Sequence, residues 1–387
     1  MIIELHLLQS FPTSNLNRDD MGQPKSVTFG GAIRGRVSSQ SLKRSARTLF
    51  PEVGLAEGET AKRTKRLLQQ AANRLVPDGR GEAGNEDRTV VREALRQMGF
   101  GVNGATDLTE YLLFVKATAV DSLAEHCKEN RERLLKDAAK REKDPKGSEK
   151  KKPDSETLKV AKTILDARRS VDIALFGRMI ADNKDFNVDA ASQVAHAIST
   201  HAVAVEFDFY TAVDDLKPDA EAGADMIGTV DFNAACYYRY ANLDLGQLRR
   251  NLFGTVPELK AEDEDLLKRA TSAWLNAFVR AVPSGKQNSM AALTQPDALL
   301  AVVRDSGAWN LANAFLNPVE GTGVMETSTR RMWEHFSELR HFYGDDGIRT
   351  VAMASLSGDL DALGVPRQER ADTLPAFVGK VLGEHGG

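Results

Sequence analysis

A long block of helical periodicity, about residues 60–180, interrupts a chain whose flanks alternate with the period of a strand. No all-helical and no all-strand fold accommodates both patterns. Before the block, "IIELHLL" sets Ile3, Leu5 and Leu7 against Glu4 and His6, the pattern of a half-buried strand. "QSFPTSNLNRDDMGQPKS" follows, rich in Asn, Ser, Pro and Gly, and reads as a loop. In "FGGAIRGRVSS", Ile33, Gly35 and Val37 alternate with Arg34 and Arg36, giving a short strand with basic residues on one face. Ser38 and Ser39 supply N-cap chemistry for a helix whose Leu42, Ala46, Leu49 and Phe50 face a core.

Within the block, "TAKRTKRLLQQAANRLV", "DRTVVREALRQM" and "LTEYLLFVKATAVDSLAEHCKENRERLLKDAAK" are helical. Residues 131–160 hold eleven Lys/Arg and seven Asp/Glu and little that is apolar after Leu135, so "REKDPKGSEKKKPDSE" reads as a charged surface loop. Beyond the block, "SQVAHAISTHAV" has a helical pattern and runs into the alternating "VAVEFDFYTAV". A second alternating run, "FNAACYYRYANLDL", follows an acidic loop, so the pair predicts a projecting β-hairpin. "DEDLLKRATSAWLNAFVRAVP" is an amphipathic helix with Leu266, Ala270, Trp274, Ala277 and Phe278 on its apolar side, and "TSTRRMWEHFSELRHFYG" is another. The order predicts a mixed α+β fold with a helical insertion.

Charge is distributed unevenly. The net charge is −4, yet residues 1–50 carry seven Lys/Arg against three acids, a net +4, so the rest sums to −8. That asymmetry points to a localised anion site. In "RVSSQSLKRSAR", Gln40, Lys43 and Arg47 share one stripe of the predicted helix, behind serines at its start. A helix N-terminus leaves N–H groups for an anion, and the i,i+4 spacing of about 6 Å is comparable with that of successive phosphates. Spacing alone leaves two readings open, a phosphate-binding stripe and a solvated helix face.

Other chemistry is sparse. No Walker A, GxGxxG, GxSxG or HExxH pattern occurs, and no cofactor or metal is expected. Cys127 and Cys236 read as free packing thiols of a reducing, cytoplasmic setting. The first residues lack a signal-peptide pattern, and no run of eighteen apolar residues suggests a membrane span. His196 and His201, five apart, lack further ligands at metal-binding spacing. Asp19 and Asp20 read first as turn residues or partners of Arg18 and Arg34, and second as groups for acid–base or metal chemistry on RNA.

The stretch "LNRDDMGQPKSVTFGGAIRGRVSSQSLKRSAR" resembles the N-terminal signature of the backbone-subunit (CasC, Cse-type) family of the type I-E CRISPR surveillance complex, Cascade. "VDIALFGRM", "AHAISTHAVAVEFDFYTAVDDL", "YYRYANLDLGQL", "VPSGKQNSMAA" and "LANAFLNPV" resemble further blocks in family order, so the likeness covers most of the chain. The charged stretch 137–160 is longer than the family pattern.

The resemblance implies a hand-like α+β subunit. An RRM-like (ferredoxin-like) palm would comprise residues 1–58, 186–201 and 233–387, helical fingers 59–185, and a β-hairpin thumb 202–232. It implies a subunit that polymerises along the crRNA and leaves its bases free to pair with target DNA. Its partners would be crRNA, target DNA through the guide, further copies of itself, and the large, small, five-prime-end and processing subunits, with a separately recruited helicase-nuclease performing cleavage. By resemblance, RNA contacts fall on Arg18, Lys25, Ser38, Ser39, Gln40, Lys43, Arg47, Arg178, Met179, Lys286 and Gln287. Phe207, Phe209 and Tyr210 would wedge between bases. A sequence-independent guide holder needs such phosphate-directed groups. The expected subunit is not an enzyme. The alternative is a backbone subunit with metal-dependent RNase activity at Asp19 or Asp20. Lys150, Lys151 and Lys152 read either as solvated loop or as weak attractors of target DNA or a neighbouring subunit.

Overall fold

The structure, a computed structural model, describes residues 1–76, 81–116, 118–144, 155–180, 186–212 and 226–383. Residues 145–154 of the charged stretch at 137–160, with its three consecutive lysines, and the acidic segment at 213–225 lie outside them. The described elements begin with β1 (Ile2–Ser14), β2 (Ser26–Phe29), β3 (Ala32–Val37) and α1 (Ser39–Leu49). Then come β4 (Ala61–Thr64), α2 (Leu67–Leu75), α3 (Asn85–Gln97), β5 (Leu113–Lys116), α4 (Ala119–Glu129), α5 (Arg131–Lys143), α6 (Ser155–Ile164) and α7 (Val171–Phe176). Strands return as β6 (Ser192–Val194), β7 (Ala197–Ser199), β8 (Glu206–Ala212) and β9 (Met226–Asp244). The chain closes with α8 (Leu245–Phe253), α9 (Ala261–Arg280), α10 (Gln287–Met290), β10 (Ala298–Arg304), α11 (Val324–Tyr343), β11 (Ile348–Ser355) and α12 (Leu374–Leu382). The fold is mixed α+β.

The chain divides into two compact units. The first comprises Met1–Gly54, Ser192–Gly246 and Lys268–Gly387; the second comprises Leu55–Ala191 and Gln247–Leu267. Nothing in the local pattern of Gln247–Leu267 associates it with the helical block.

The first unit is built on an antiparallel sheet in the order β11-β10-β1-β9-β7-β3-β2, with β6 and β8 also pairing with β9. β1 lies between β10 (Ile2 opposite Arg304) and β9 (Ile2 opposite Asp244). One face is covered by α11 and the turn Leu311–Phe315, where Leu8, Tyr238, Leu300, Phe315, Met332 and Phe336 pack together. Against the other, Arg239 of β9 donates to Gln9 Oε1 and to the Phe278 carbonyl of α9. The half-buried strand expected of "IIELHLL" is therefore buried on both faces. Glu4 and His6 have no exposed surface. Glu4 accepts from the Trp309 amide and sits 3.4 Å from Arg304, and His6 Nδ1 lies 2.9 Å from the Tyr238 hydroxyl. Burial raises the Glu4 carboxyl to about 7 and lowers the His6 imidazole to about 3.

Two other expectations change. β1 runs on to Ser14, so the loop begins later than its composition implied. Residues 192–199, helical by local pattern, form β6 and β7, because pairing with β9 and β3 satisfies their backbone groups in the sheet.

The second unit packs α2, α3, α4 and α5 around Leu68, Val91, Leu95, Leu123, Cys127 and Leu134. It also holds a β4–β5 ribbon that helical periodicity did not reveal. Cys127 and Cys236 are free and buried. Among the described residues, no helix is long and apolar enough to cross a membrane.

Candidate nucleic-acid interface

The basic segment is shaped by a tight turn. Gly30 and Gly31 have φ of +60° and +77°, which turns β2 into β3 with Phe29 opposite Ala32. A side chain at Gly30 would meet the Leu316 carbonyl at 1.6 Å. The face expected to be basic is split. Arg34 is fully buried and donates to the carbonyls of Ser199 (2.9 Å), Phe315 (2.8 Å) and Leu316 (3.3 Å), while Ile33 is 59% exposed. Arg34 thus ties β3 to β7 and to the turn before α11. Arg36 remains at the surface.

Ser38 caps α1, its Oγ accepting from the Ser41 amide at 3.3 Å. Its own amide donates to Asn17 Oδ1 at 2.8 Å, the Lys25 amide donates to the Asn17 carbonyl at 2.9 Å, and the Arg36 amide donates to the Lys25 carbonyl at 2.8 Å. The loop between β1 and β2 is thereby laced to β3 and to the start of α1. This draws Lys25, Ser38, Ser39 and Gln40 together, with exposed Arg18 on the same loop. Leu42 and Ala46 are buried, so Lys43 and Arg47 occupy the adjacent, half-buried stripe of α1.

Two further predicted segments converge on that loop. Gly285 approaches so closely that a Cβ would lie 2.4 Å from the Leu16 carbonyl and 2.6 Å from that of Asn15. Lys286 follows with φ +54°, half-exposed. Gln287 plays a different part. Its amide nitrogen donates to the Pro283 (3.0 Å) and Ala292 (3.2 Å) carbonyls and holds the turn closed. Asn15 donates to the Asp231 carbonyl at 2.8 Å, fixing the loop to the base of the β8–β9 hairpin.

That hairpin pairs Glu206 with Phe232 through Ala212 with Met226. Phe207 is 75% exposed and Phe209 60%, and as alternate residues they share a face. Tyr210 is on the other face, where a Cβ on Gly228 would come within 2.5 Å of its ring. The three aromatics named from the sequence are therefore a pair and a single ring.

Arg178 and Met179 belong to the second unit. Arg178 is buried and donates to the Phe186 (3.0 Å) and Phe114 (3.2 Å) carbonyls, and burial lowers its guanidinium to about 10. Met179 is 85% exposed. Asp19 Oδ1 accepts from the Met21 (3.0 Å) and Gln23 (2.9 Å) amides, so this carboxylate organises its own turn. Asp20 is exposed. Among the described residues no group of three or more His, Cys, Asp or Glu is placed to hold a metal ion.

Sequence reasoning missed one partner. His196 Nδ1 lies 3.1 Å from Arg36 Nη1, although the two are 160 residues apart. No local period announces this contact, because β7 reaches β3 only through the sheet.

The arrangement offers cations, amides, hydroxyls and exposed aromatic faces on one unit, a combination suited to a nucleic-acid backbone with bases laid against the hairpin. No curated protein matches significantly. Among solved structures, the fold is similar to a chain of a "CRISPR RNA-guided surveillance complex, pre-nicking", with 32% identity, 99% of each chain covered and a TM-score of 0.81. It is also similar to a chain of a "CRISPR RNA-guided surveillance complex", at 28% identity, complete coverage of both chains and a TM-score of 0.71. The family profile described as CT1975-like protein matches residues 3–379, nearly the whole sequence, and the chain belongs to that family.

Proposed function

We propose that this chain is the crRNA-binding backbone subunit of a type I-E CRISPR Cascade. It polymerises along the guide, grips its phosphates without regard to sequence, and presents bases for pairing with invading DNA. The observation that carries the reading is the end-to-end likeness to a chain of an RNA-guided surveillance complex. The convergence of Arg18, Lys25, Ser38 and Lys286 around one loop supports it. In this reading the sheet is an RRM-like palm, the helical unit the fingers and the β8–β9 hairpin the thumb. Phe207 and Phe209 are the wedge, at a cost of a few kcal/mol of unstacking per step. Copies of the chain associate with crRNA and with the large, small, five-prime-end and processing subunits in the cytoplasm, and a recruited helicase-nuclease acts separately.

The subunit does not itself cleave nucleic acid; the commitment of Asp19 to its turn amides supports this. Metal-dependent cuts in complementary RNA, lost in Asp19→Ala or Asp20→Ala, would refute it. The function is tested by co-expression with repeat–spacer RNAs of different sequence. Lys43→Ala with Arg47→Ala is expected to weaken RNA retention equally for all spacers. It should flatten the slope of log affinity against log salt by about 1.4, two single-strand phosphate contacts. A loss that depends strongly on spacer sequence would overturn the backbone-gripping reading.

A further inference from the structure

His196 is the second of the two residues, Ala195 and His196, that step from β6 to β7, and it is exposed at the surface. β7 pairs with β3, Arg36 opposite Ile198, and across this pairing Arg36 Nη1 reaches His196 Nδ1 at 3.1 Å. Arg36 Nε donates to the Ser26 carbonyl at 3.2 Å. Two acceptors therefore aim the guanidinium, and among the described residues Nη2 has no acceptor. Lys25, whose carbonyl receives the Arg36 amide, has no side-chain partner among the described residues. Burial, then Arg36 from β3, then Lys25 from the segment before β2, hold the imidazole below its usual range. Among the described residues no carboxylate contributes to this shift, and neither β9, paired with both β6 and β7, nor α1, which packs against β6 and carries Lys43, Arg44 and Arg47, adds a charged group to it. Two permanent cations and a suppressed imidazole, with no acid acting on the imidazole among the described residues, make a cluster suited to an anion.

We infer that Lys25, Arg36 and His196 form a phosphodiester-binding site in which His196 takes up a proton as the anion binds, so that mild acidity tightens the hold on the guide. The inference rests on the guide-binding reading of the β1–β2 loop and β3. An anion between Lys25 and Arg36 cancels the field that suppresses the imidazolium. Reciprocity then requires protonation to favour the anion by the same factor. Once protonated, Nδ1 becomes a donor. It gives up the bond from Arg36, and both groups can turn their N–H bonds to phosphate oxygens.

The test uses the full chain with isotope-labelled histidines and a short single-stranded RNA of mixed sequence. His196→Gln assigns the resonance, and circular dichroism checks the fold of each variant. In free protein His196 titrates below ordinary histidine, and Arg36→Gln or Lys25→Gln moves it back up. With RNA bound the titration moves to higher pH, and affinity is about fivefold tighter near pH 6 than near pH 8. In His196→Gln that pH response flattens. If RNA binds with the usual salt dependence but the His196 titration is the same free and bound, or if His196→Gln keeps the wild-type pH response, the inference fails and the guide-binding reading stands. If RNA does not bind at any pH, both fail.

Discussion

Replacing Arg34 with methionine separates the cations that hold the fold from those that face a ligand. The sequence places Arg34 among the basic residues of the first fifty, yet its guanidinium is sealed inside and bonded to three carbonyls. Methionine keeps the length and the apolar stem. It leaves the Ser199 and Phe315 carbonyls, bonded at 2.9 and 2.8 Å, without their donors. Each orphaned buried acceptor costs about 1–3 kcal/mol. Burial and the neighbouring Arg331 already disfavour the charged guanidinium, so its removal recovers part of that cost. The net destabilisation is about 3 kcal/mol, and at about 2–4 °C per kcal/mol the melting temperature falls by about 6–12 °C. Differential scanning fluorimetry of the RNA-free chain reads this directly, with exposed Arg18→Ala as the control, expected to stay within about 0.5 kcal/mol of wild type. If Arg34→Met melted with the wild type while losing RNA as Arg18→Ala does, Arg34 would be a binding residue and the reasoning would be wrong.

Ser38→Ala removes the cap of α1 and is expected to cost about 1 kcal/mol, measured by urea denaturation. Phe209→Ala, at a 60% exposed position, should barely move the melting temperature but should alter chemical probing of the bound guide at regular intervals; an unchanged probing pattern would remove Phe209 from the wedge. Glu4 and His6 set opposite pH limits. The raised Glu4 carboxyl favours the folded state below its unfolded value of 4.5, a contribution lost as pH rises through about 7. The lowered His6 imidazole contributes above 6.5, and that contribution is lost as pH falls toward about 3. Glu4→Gln should therefore flatten the decline in melting temperature between about pH 5 and pH 8, and leave the acid limb in place.

Much of the architecture was legible where local pattern and tertiary environment agree. α1 shows this: Ser38 caps it and Leu42 and Ala46 face inward as their spacing requires. The β8–β9 hairpin follows from two alternating runs. Reading failed where sheet partners override local pattern. Residues 192–199 have helical spacing but are captured by β9 and β3. Glu4 and His6 look solvent-facing because alternation registers polarity and cannot register Arg304 or Tyr238 waiting on adjacent strands. Charge was similarly ambiguous. Arg34 and Arg178 read as phosphate ligands or basic-face residues, yet each spends its donors on internal carbonyls. Burial of an arginine is set by acceptors distant in sequence, and nothing in its immediate neighbours announces it. The Arg36–His196 contact is hidden for the same reason.

The central claim is that many copies of this chain hold one guide regardless of its sequence. Native mass spectrometry of the assembly purified from cells carrying two unrelated spacers of equal length tests it most directly. The account predicts several copies of the chain on a single processed RNA, with the same copy number for both spacers. A single copy, or a chain that purifies free of RNA with both spacers, would contradict it.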